Sequence, residues 1–168
     1  RSETPIEIIP MVEFYLKQMD FLEKMREVAG GLRFHPEMHR QILLNWIDSI
    51  SIDWPISRRR YYGTEIPVWY CGRCRSPNLP RPGRYYQPWR QPPPFKKCSR
   101  CGSGEGFVGE TRTLDTWMDS AISPLFNSGY LREDSRFKRL YPNTIRPQGK
   151  DIIRTWLYYT LLRCYPLT

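Results

Sequence analysis

Apolar side chains recur at helical spacing in three stretches of the chain. Intervals of three and four residues place such positions on one helix face, which is the face that packs against a core. The pattern predicts helices over residues 11–29, 38–50 and 149–163. The positions on the predicted buried faces are Phe14, Leu16, Met19, Phe21, Leu22 and Met25, then Ile42, Leu43, Trp46, Ile47 and Ile50, and finally Ile152, Ile153, Trp156, Leu157, Thr160 and Leu161.

Short apolar runs beside proline or glycine predict four strands. They lie at residues 3–10, 32–35, 66–70 and 144–147. A further helix is predicted over 117–126. The last strand, the turn at Gln148-Gly149 and the helix after it predict half of a parallel α/β unit, whose ligands bind at the carboxyl end of the strand. The elements together predict an α/β fold, and no internal repeat is visible.

The net charge of the chain indicates what kind of partner it binds. The chain has 26 Lys and Arg against 17 Asp and Glu, a net charge of +9. The basic residues cluster at 58–60, 81–90 and 96–100. Such a surplus favours a polyanionic partner or a phosphorylated ligand, and a basic protein with no nucleic-acid role is the alternative.

Composition bounds the class of protein. A hydrophobic fraction of 40% can form a core, whereas 16 prolines and 11 glycines make much of the backbone irregular. No run reaches the roughly 18 apolar residues of a membrane span. With no signal peptide visible, we expect a cytoplasmic protein. The chain starts at Arg1 and stops after an apolar stretch, so we expect a piece of a longer protein.

Four cysteines form two Cys-x-x-Cys pairs, Cys71 with Cys74 and Cys98 with Cys101. Each pair can direct two thiolates at one point, and two pairs complete the tetrahedron that Zn²⁺ prefers. A site filled by four thiolates leaves no position for water, so the predicted zinc is structural. Two disulfides are the alternative and would need an oxidising compartment. Cys164 stands apart in an apolar helix and is predicted to lie in the core.

Three strings of residues resemble a known family. Residues 53–71 read Asp-Trp-Pro-Ile-Ser-Arg-Arg-Arg-Tyr-Tyr-Gly-Thr-Glu-Ile-Pro-Val-Trp-Tyr-Cys. Residues 113–121 read Thr-Leu-Asp-Thr-Trp-Met-Asp-Ser-Ala, and 146–156 read Arg-Pro-Gln-Gly-Lys-Asp-Ile-Ile-Arg-Thr-Trp. These strings resemble successive motifs of the branched-chain class I aminoacyl-tRNA synthetases, and the last is similar to the valyl branch. An isoleucyl or leucyl synthetase and a free-standing RNA-binding zinc ribbon are the alternatives.

The resemblance implies a fold and a division of the chain. It implies part of a Rossmann-type catalytic core with an inserted four-cysteine zinc-ribbon module. The implied parts are 1–45, the return from the editing insertion; 46–70, a core segment; 71–112, the zinc-ribbon module; and 113–168, a segment of the second half of the core.

The resemblance also implies an activity for the parent protein. Enzymes of this branch activate valine with ATP and Mg²⁺ to valyl-adenylate and then transfer valine to tRNA(Val). The implied partners are valine, ATP, tRNA(Val) and the rest of the synthetase chain, with no membrane. The chain lacks the family's histidine-rich and Lys-Met-Ser-Lys-Ser signatures for ATP, so no catalytic residue is assigned and we expect no catalysis from the chain alone.

The implied small-molecule sites lie in the second half of the chain. Trp117, Ile152 and Trp156 would form a rigid valine pocket that excludes isoleucine, although without the resemblance they read as core residues. The implied adenylate contacts are Gln148, Gly149 and Asp151, and Asp151 would serve equally well as a helix N-cap or a first-turn acid. Lys150 departs from the family, where histidine is usual.

The implied tRNA contacts are basic residues in two clusters. They are Arg58, Arg59, Arg60, Lys96, Lys97 and Arg100. Tyr85, Tyr86 and Trp89 are candidates for stacking on bases. A solvated charged face is the alternative for these residues.

Overall fold

The structure, a computed structural model, describes residues 9–168. All but the last two residues of the strand predicted over 3–10 lie outside these described residues. Within them, the α-helices are α1 (Leu22–Gly31), α2 (His39–Ser49), α3 (Thr116–Ser120), α4 (Ser123–Ser128), α5 (Asp134–Leu140) and α6 (Tyr158–Cys164). Three 3-10 turns span Met19–Phe21, Lys150–Ile152 and Tyr165–Leu167, and a π-helical turn spans Ile153–Leu157. Nowhere in residues 9–168 is a helix long and apolar enough to cross a membrane.

The strands of residues 9–168 are each two residues long. They are β1 (Tyr15–Leu16), β2 (Trp54–Pro55), β3 (Ser57–Arg58), β4 (Trp69–Tyr70), β5 (Pro77–Asn78), β6 (Val108–Gly109) and β7 (Thr113–Leu114). They form the pairs β1-β2 and β3-β7 and a three-stranded sheet in the order β5-β4-β6. All of these pairings are antiparallel.

Helix α2 agrees with its prediction, whereas α1 occupies only part of the range predicted for it. The prediction over 38–50 is confirmed by α2, which is shorter by one residue at each end. The prediction over 11–29 is wrong in its first half, because Leu16 pairs with Trp54 across the β1-β2 ladder. Helix α1 occupies the second half and ends at Gly31, two residues beyond the predicted end.

The other two predicted helices differ from the structure, since one begins with other helical turns and one is divided in two. The helix predicted over 149–163 begins as a 3-10 turn and a π-helical turn before α6. The helix predicted over 117–126 is divided into α3 and α4, and Pro124, which has no amide hydrogen, lies in the first turn of α4. Helix α5 was not predicted, because none of its residues is buried and no apolar periodicity marks it.

The predicted parallel α/β unit is not formed within residues 9–168. Residues 144–147 contain no strand, and Ile145 is 78% exposed. Residues 32–35 are also without a strand, and only the last two residues of the 66–70 prediction pair, as β4. A strand needs a hydrogen-bonded neighbour, and the apolar runs at 32–35 and 144–147 have none among the described residues.

The main core lies where α1 and α2 pack against the π-helical turn and α6. Its centre is Tyr158, whose ring is completely buried and edge-on to Trp46. Trp54 of β2 stacks on Tyr159 at 3.8 Å between ring centroids. The buried members of this core are Met25, Ala29, Leu43, Ile47, Trp54, Met118, Ile153, Leu157, Tyr158 and Leu162.

A buried ionic junction attaches the cysteine-bearing segment to this core. Arg112 donates to the Glu110 carboxylate at 2.7 and 3.0 Å, and also to the Val12 carbonyl at 2.7 Å. The same guanidinium lies 3.2 Å from Glu13 and over the ring of Phe14. Burial raises the pKa of Glu110, but the hydrogen bonds from Arg112 outweigh it and hold that pKa at about 2. The carboxylate is therefore charged at neutral pH.

We expect Tyr158→Phe to lower the free energy of unfolding by about 1–3 kcal/mol, because it leaves a buried acceptor unpaired. The Tyr158 hydroxyl donates to Oε1 of buried Gln18 at 3.2 Å. Urea denaturation of the metal-loaded chain measures the change. Tyr15→Phe is the matched control, since Tyr15 is 54% exposed and should tolerate the change. Equal losses in both variants would contradict the role of this hydrogen bond.

Candidate metal centre and functional site

The fold gathers the four cysteines of the two pairs at one point. Their four sulfur atoms all lie within 4.8 Å of one another. The Cys71–Cys101 and Cys74–Cys98 sulfur pairs are both 3.6 Å apart. A tetrahedral zinc with Zn–S bonds of about 2.3 Å requires sulfur separations of about 3.8 Å. A disulfide requires about 2.05 Å, and all five cysteines are free thiols.

The two cysteine pairs sit on turns with the same hydrogen-bond pattern. In the first turn the Arg75 amide donates to the Cys71 carbonyl at 2.9 Å, and in the second the Gly102 amide donates to the Cys98 carbonyl at 3.0 Å. The amide of the first cysteine in each turn donates to a serine carbonyl five residues later. Both turns read Cys-x-Arg-Cys-x-Ser, at 71–76 and 98–103. The expectation that the chain has no internal repeat is therefore wrong at this short length of six residues.

One residue in each turn adopts the left-handed conformation. Gly102 has a φ of 72°, and Arg75 has a φ of 59° at the equivalent position. Glycine tolerates this region freely, whereas other residues lose about 1–2 kcal/mol there. The first turn therefore carries a strain that the second avoids.

Hydrogen bonds prepare two of the thiols for metal binding. The Ser76 hydroxyl lies 3.0 Å from the Cys74 sulfur and 3.3 Å from the Cys98 sulfur. The Ser76 hydroxyl, which can donate to only one sulfur at a time, lowers the pKa of Cys98 to about 5 and also lowers the pKa of Cys74. Hydrogen bonding to Cys74 and burial instead raise the pKa of Cys101 to about 11. The Arg100 amide adds a further donor to Cys98, at 3.4 Å. Because the thiolate is the metal-binding form, these hydrogen bonds favour binding at neutral pH.

A three-stranded sheet and an aromatic cluster support the two turns. Trp69 of β4 is almost completely buried, and its indole nitrogen donates to the Gln91 carbonyl at 3.1 Å. Asn78 of β5 reaches the second turn, because its Oδ1 accepts from the Ser99 amide at 2.9 Å. Buried Cys71 follows β4 directly. The four thiols thus come from the ends of short strands and from a long loop.

The three residues of the implied valine pocket lie on three elements, namely α3, the 3-10 turn and the π-helical turn. Trp117 is in the first turn of α3, where the Asp115 carboxylate caps the helix by accepting from the Trp117 amide at 2.8 Å. Trp156 lies in the π-helical turn, and its indole nitrogen donates to the Ser120 carbonyl of α3 at 3.0 Å. Ile152 ends the 3-10 turn just before it. All three side chains are half-buried.

The π-helical turn is a site signal that sequence reasoning missed. Such turns are rare and occur frequently at functional sites. The Arg146 guanidinium lies 3.8 Å from the ring centroid of Trp156, and it donates to the Thr160 hydroxyl at 2.6 Å. No periodicity in the sequence distinguishes this turn from an ordinary helix.

The implied adenylate residues remain available at the start of the 3-10 turn. Asp151 is exposed and makes no side-chain capping hydrogen bond, but it lies in the first turn of the 3-10 helix, so the alternative role of a first-turn acid stays open. Gly149 has an extended backbone, and a Cβ there would meet nothing within 4 Å. Neither strain nor crowding in the described chain therefore requires glycine. The Oε1 of Gln148 is buried and has no partner among the described residues.

The implied tRNA contacts fall into different environments. Arg58 forms an ion pair with Asp115 and donates to the Pro55 carbonyl at 2.7 Å, so the fold fixes its position while 35% of its side chain stays exposed. Arg59 pairs with Glu13 at 2.9 Å. In residues 9–168, no ion pair engages the exposed side chains of the other candidates, which are Arg60, Lys96, Lys97 and Arg100.

We expect the purified chain to hold one zinc ion and to lose it when Cys98 is changed to Ser, because three thiolates bind less tightly than four. Metal analysis by plasma mass spectrometry, with a thiol count before and after chelation, measures this. Cys164→Ala is the matched control, since Cys164 lies outside the cluster. Metal loss in the control, or full retention in Cys98→Ser, would rule out the four-sulfur centre.

A pair of substitutions tests the strain in the two turns. Arg75→Gly should raise the free energy of unfolding by up to about 1 kcal/mol, after allowing for the added entropy of the unfolded chain. Gly102→Ala should lower it by about 1–2 kcal/mol for purely conformational reasons, since its Cβ would have open space. Thermal unfolding of the zinc-loaded chain compares both variants, and a destabilised Arg75→Gly chain would contradict the assignment.

Comparisons with known proteins agree with this arrangement. A family model described as tRNA synthetases class I (I, L, M and V) matches residues 8–77. The chain is 50% identical over its whole length to a valine–tRNA ligase of Aeropyrum pernix, of which it covers 20%. The chain is also 50% identical to the Pyrobaculum aerophilum enzyme, covering 21% of it with 99% of its own length. For the Nanoarchaeum equitans enzyme the identity is 52%, with all of the chain and 22% of the enzyme covered.

The chain spans about a fifth of the length of these curated relatives. The similarity extends over the whole chain, so the aligned range spans both the cysteine-bearing segment and the π-helical turn. The chain is therefore similar over its full length to about a fifth of a valine–tRNA ligase, and residues 8–77 match the model of the class I tRNA synthetases.

Proposed function

We propose that the chain is the part of a valine–tRNA ligase that contributes the valine pocket, adenylate contacts and a structural zinc module. The observation that carries the proposal is the identity of 50% to valine–tRNA ligases over the full chain. The parent enzyme activates valine with ATP and Mg²⁺, then transfers it to tRNA(Val) in the cytoplasm. The chain alone lacks the two ATP signatures of the family and is inactive by itself.

The proposed valine pocket must exclude one extra methylene. A methylene is worth only about 1–3 kcal/mol, so rigid walls are the physical means of discrimination. Trp117, Ile152 and Trp156 supply these walls. The hydrogen bond from Trp156 to Ser120 and the Asp115 cap on α3 support the proposal, because both restrict the movement of an indole.

The proposed adenylate site is the exposed turn before the pocket. Gly149 lets a ligand approach the backbone, and the free Asp151 carboxylate accepts from ribose hydroxyls. Gln148 adds an unpaired amide oxygen close to them in sequence. Positioning the valine carboxylate against the α-phosphate and neutralising charge supply most of the rate in such a reaction.

The proposed metal is Zn²⁺, held by Cys71, Cys74, Cys98 and Cys101. Four soft sulfur donors at tetrahedral spacing support this choice. With all positions filled by protein, the ion organises the fold and takes no part in the reaction. We also propose that residues 71–112 form a zinc ribbon inserted into a Rossmann-type core, with 1–45, 46–70 and 113–168 as core or connecting segments.

The exposed Arg60, Lys96, Lys97 and Arg100, with Arg59 and Arg58 nearby in sequence, are the proposed tRNA contacts.

A chimeric enzyme tests the proposed function. Replacing the homologous segment of the Aeropyrum pernix enzyme with this chain should preserve valine-dependent ATP–pyrophosphate exchange. Trp156→Phe in the chimera should lower the valine-to-isoleucine ratio of kcat/KM by about tenfold. The smaller phenylalanine ring widens the pocket, and the wider pocket excludes the extra methylene of isoleucine less well. Trp46→Phe is the control, since Trp46 is half-buried outside the pocket and its indole nitrogen has no partner in residues 9–168.

Two outcomes would contradict the proposal. A folded chimera that activates leucine or isoleucine in preference to valine would favour a sister enzyme. Equal discrimination in the Trp156→Phe and Trp46→Phe chimeras would remove Trp156 from the pocket.

A further inference from the structure

The Arg146 side chain lies against the indole of Trp156, closer than any other cation lies to a ring in residues 9–168. The centre of its guanidinium is 3.8 Å from the ring centroid. In the five other cation–ring pairs of the described residues, this distance runs from 4.2 to 5.7 Å. At 3.8 Å the carbon of the guanidinium is in van der Waals contact with the ring, so Arg146 covers one face of the indole.

The positive charge of Arg146 has few other partners in the described part of the chain. No carboxylate of residues 9–168 forms an ion pair with it, and its buried Nε has no hydrogen-bond partner there. Burial lowers the pKa of this guanidinium, which still stays protonated at neutral pH. A cation that has lost water gains more from a ring face than a hydrated one does. The indole of Trp156 is therefore the main partner of this charge.

The exposure of the residues around Arg146 is the reverse of the usual one. Ile145 is 78% exposed and Pro147 is also exposed, whereas the charged side chain between them is partly buried. Apolar side chains outside and a charged one inside cost free energy, because the fold gives up apolar burial and desolvates a cation. Such local conflicts are expected at functional positions rather than at purely structural ones.

Hydrogen bonds hold the guanidinium and the indole in this arrangement. The Thr160 hydroxyl accepts from Nη2 of Arg146 at 2.6 Å and donates to the Trp156 carbonyl at 2.6 Å. Thr160 is buried, and it follows Trp156 by four residues, so both lie on one side of the helical segment. Thr160 therefore fixes Arg146 over the ring of the residue one turn before it.

The two contacts of the indole restrict different movements. The hydrogen bond from its nitrogen to the Ser120 carbonyl, at 3.0 Å, holds one edge of the ring against α3. A ring held at one edge can still tilt about that edge. Trp156 is only half-buried, so packing alone does not enclose it. The guanidinium of Arg146 blocks the tilt toward the face that it covers.

We propose that Arg146 is a positioning residue for the selection of valine, because its guanidinium holds the Trp156 indole as a fixed wall of the valine pocket. A wall that cannot tilt leaves no space for the extra methylene of isoleucine. This inference rests on the proposed function, which places Trp156 in that pocket. Arg146 acts through the indole, and no contact with valine or ATP is assigned to it.

Amino-acid-dependent ATP–pyrophosphate exchange by the Aeropyrum pernix chimera tests this role. Arg146→Leu removes the charge and keeps much of the apolar bulk, whereas Arg146→Lys keeps a cation that can also lie over a ring. The matched control is Arg132→Leu, which removes a guanidinium 4.2 Å from the ring of Phe126, outside the proposed pocket. Zinc content and circular dichroism verify that the variants are folded.

We expect Arg146→Leu to lower the valine-to-isoleucine ratio of kcat/KM by about fivefold, because a wall that tilts discriminates less well than a fixed one. The KM for valine should rise by about threefold with kcat nearly unchanged, since the wall contacts the side chain equally in the ground and transition states. Arg146→Lys should recover most of the ratio, and Arg132→Leu should leave it unchanged. Partial unfolding would lower the rates with both amino acids alike, so it would not change the ratio.

A double variant tests whether the effect passes through the indole. In the Trp156→Phe chimera, Arg146→Leu should change the ratio by less than about twofold, because the ring that Arg146 holds is already altered. A further loss as large as in the native chimera would mean that Arg146 acts independently of Trp156, and it would overturn the inference.

Two other results would also overturn it, namely an unchanged ratio in Arg146→Leu and an equal loss in Arg132→Leu. Failure of the proposed function gives a different result, since the folded native chimera would then lack valine-dependent exchange. An unchanged ratio in Arg146→Leu beside a lowered ratio in Trp156→Phe removes the role of Arg146 and leaves the proposed pocket in place.

Discussion

The organisation of residues 69–112 depends on bringing four sulfur atoms within 4.8 Å. Thiolates at this distance repel one another, and only a bound cation makes the arrangement favourable at neutral pH. The strands around it are two residues long, and Trp69 is the largest buried side chain there. A segment of about 40 residues cannot bury enough apolar surface to fold without such a cross-link. A cation bound by the four thiolates would therefore couple metal binding to the local folding of this segment.

The clustered cysteines also fix the positions of neighbouring residues through direct contacts. From Cys98 this constraint passes to Ser99, whose amide donates to Asn78, and Cys71 continues directly from the strand of Trp69. A segment built around a metal in this way can present basic side chains on a fixed frame. Their mutual repulsion would otherwise spread a loop with eight positive and no negative charges.

A second, ionic connection joins this segment to the helical core. Arg112 is buried between Glu110 and Glu13, and each carboxylate also has its own hydrogen-bond donor, Tyr70 and Ser57 respectively. Buried ion pairs contribute little net stability, because desolvation offsets their attraction, but an unpaired member is very costly. The ionic junction therefore fixes the orientation of the cysteine-bearing segment on the helical core more than it stabilises the fold. It places β7, and with it α3 and the implied valine pocket, directly after the metal-bearing segment.

The sequence by itself determined the features that depend on local spacing. The Cys-x-x-Cys intervals identified the four thiols that the fold gathers, and the apolar spacing of 38–50 located α2. The motif strings identified the family. These features can be predicted from the sequence because a ligand pair and an amphipathic helix are each formed by residues near one another in the chain.

Only the tertiary structure decided the features that join distant residues. Strands of two residues carry no periodicity, so nothing local reveals that Ser57 pairs with Leu114 or that 144–147 finds no partner among the described residues. The π-helical turn lies where Trp156 meets α3, and Arg81 and Lys97 are brought to the lining of one cavity. The ion pair of Arg58 with Asp115 likewise separates it from the exposed basic residues that it resembles in sequence. In each case the deciding energy comes from a contact with a remote partner, which a local pattern does not contain.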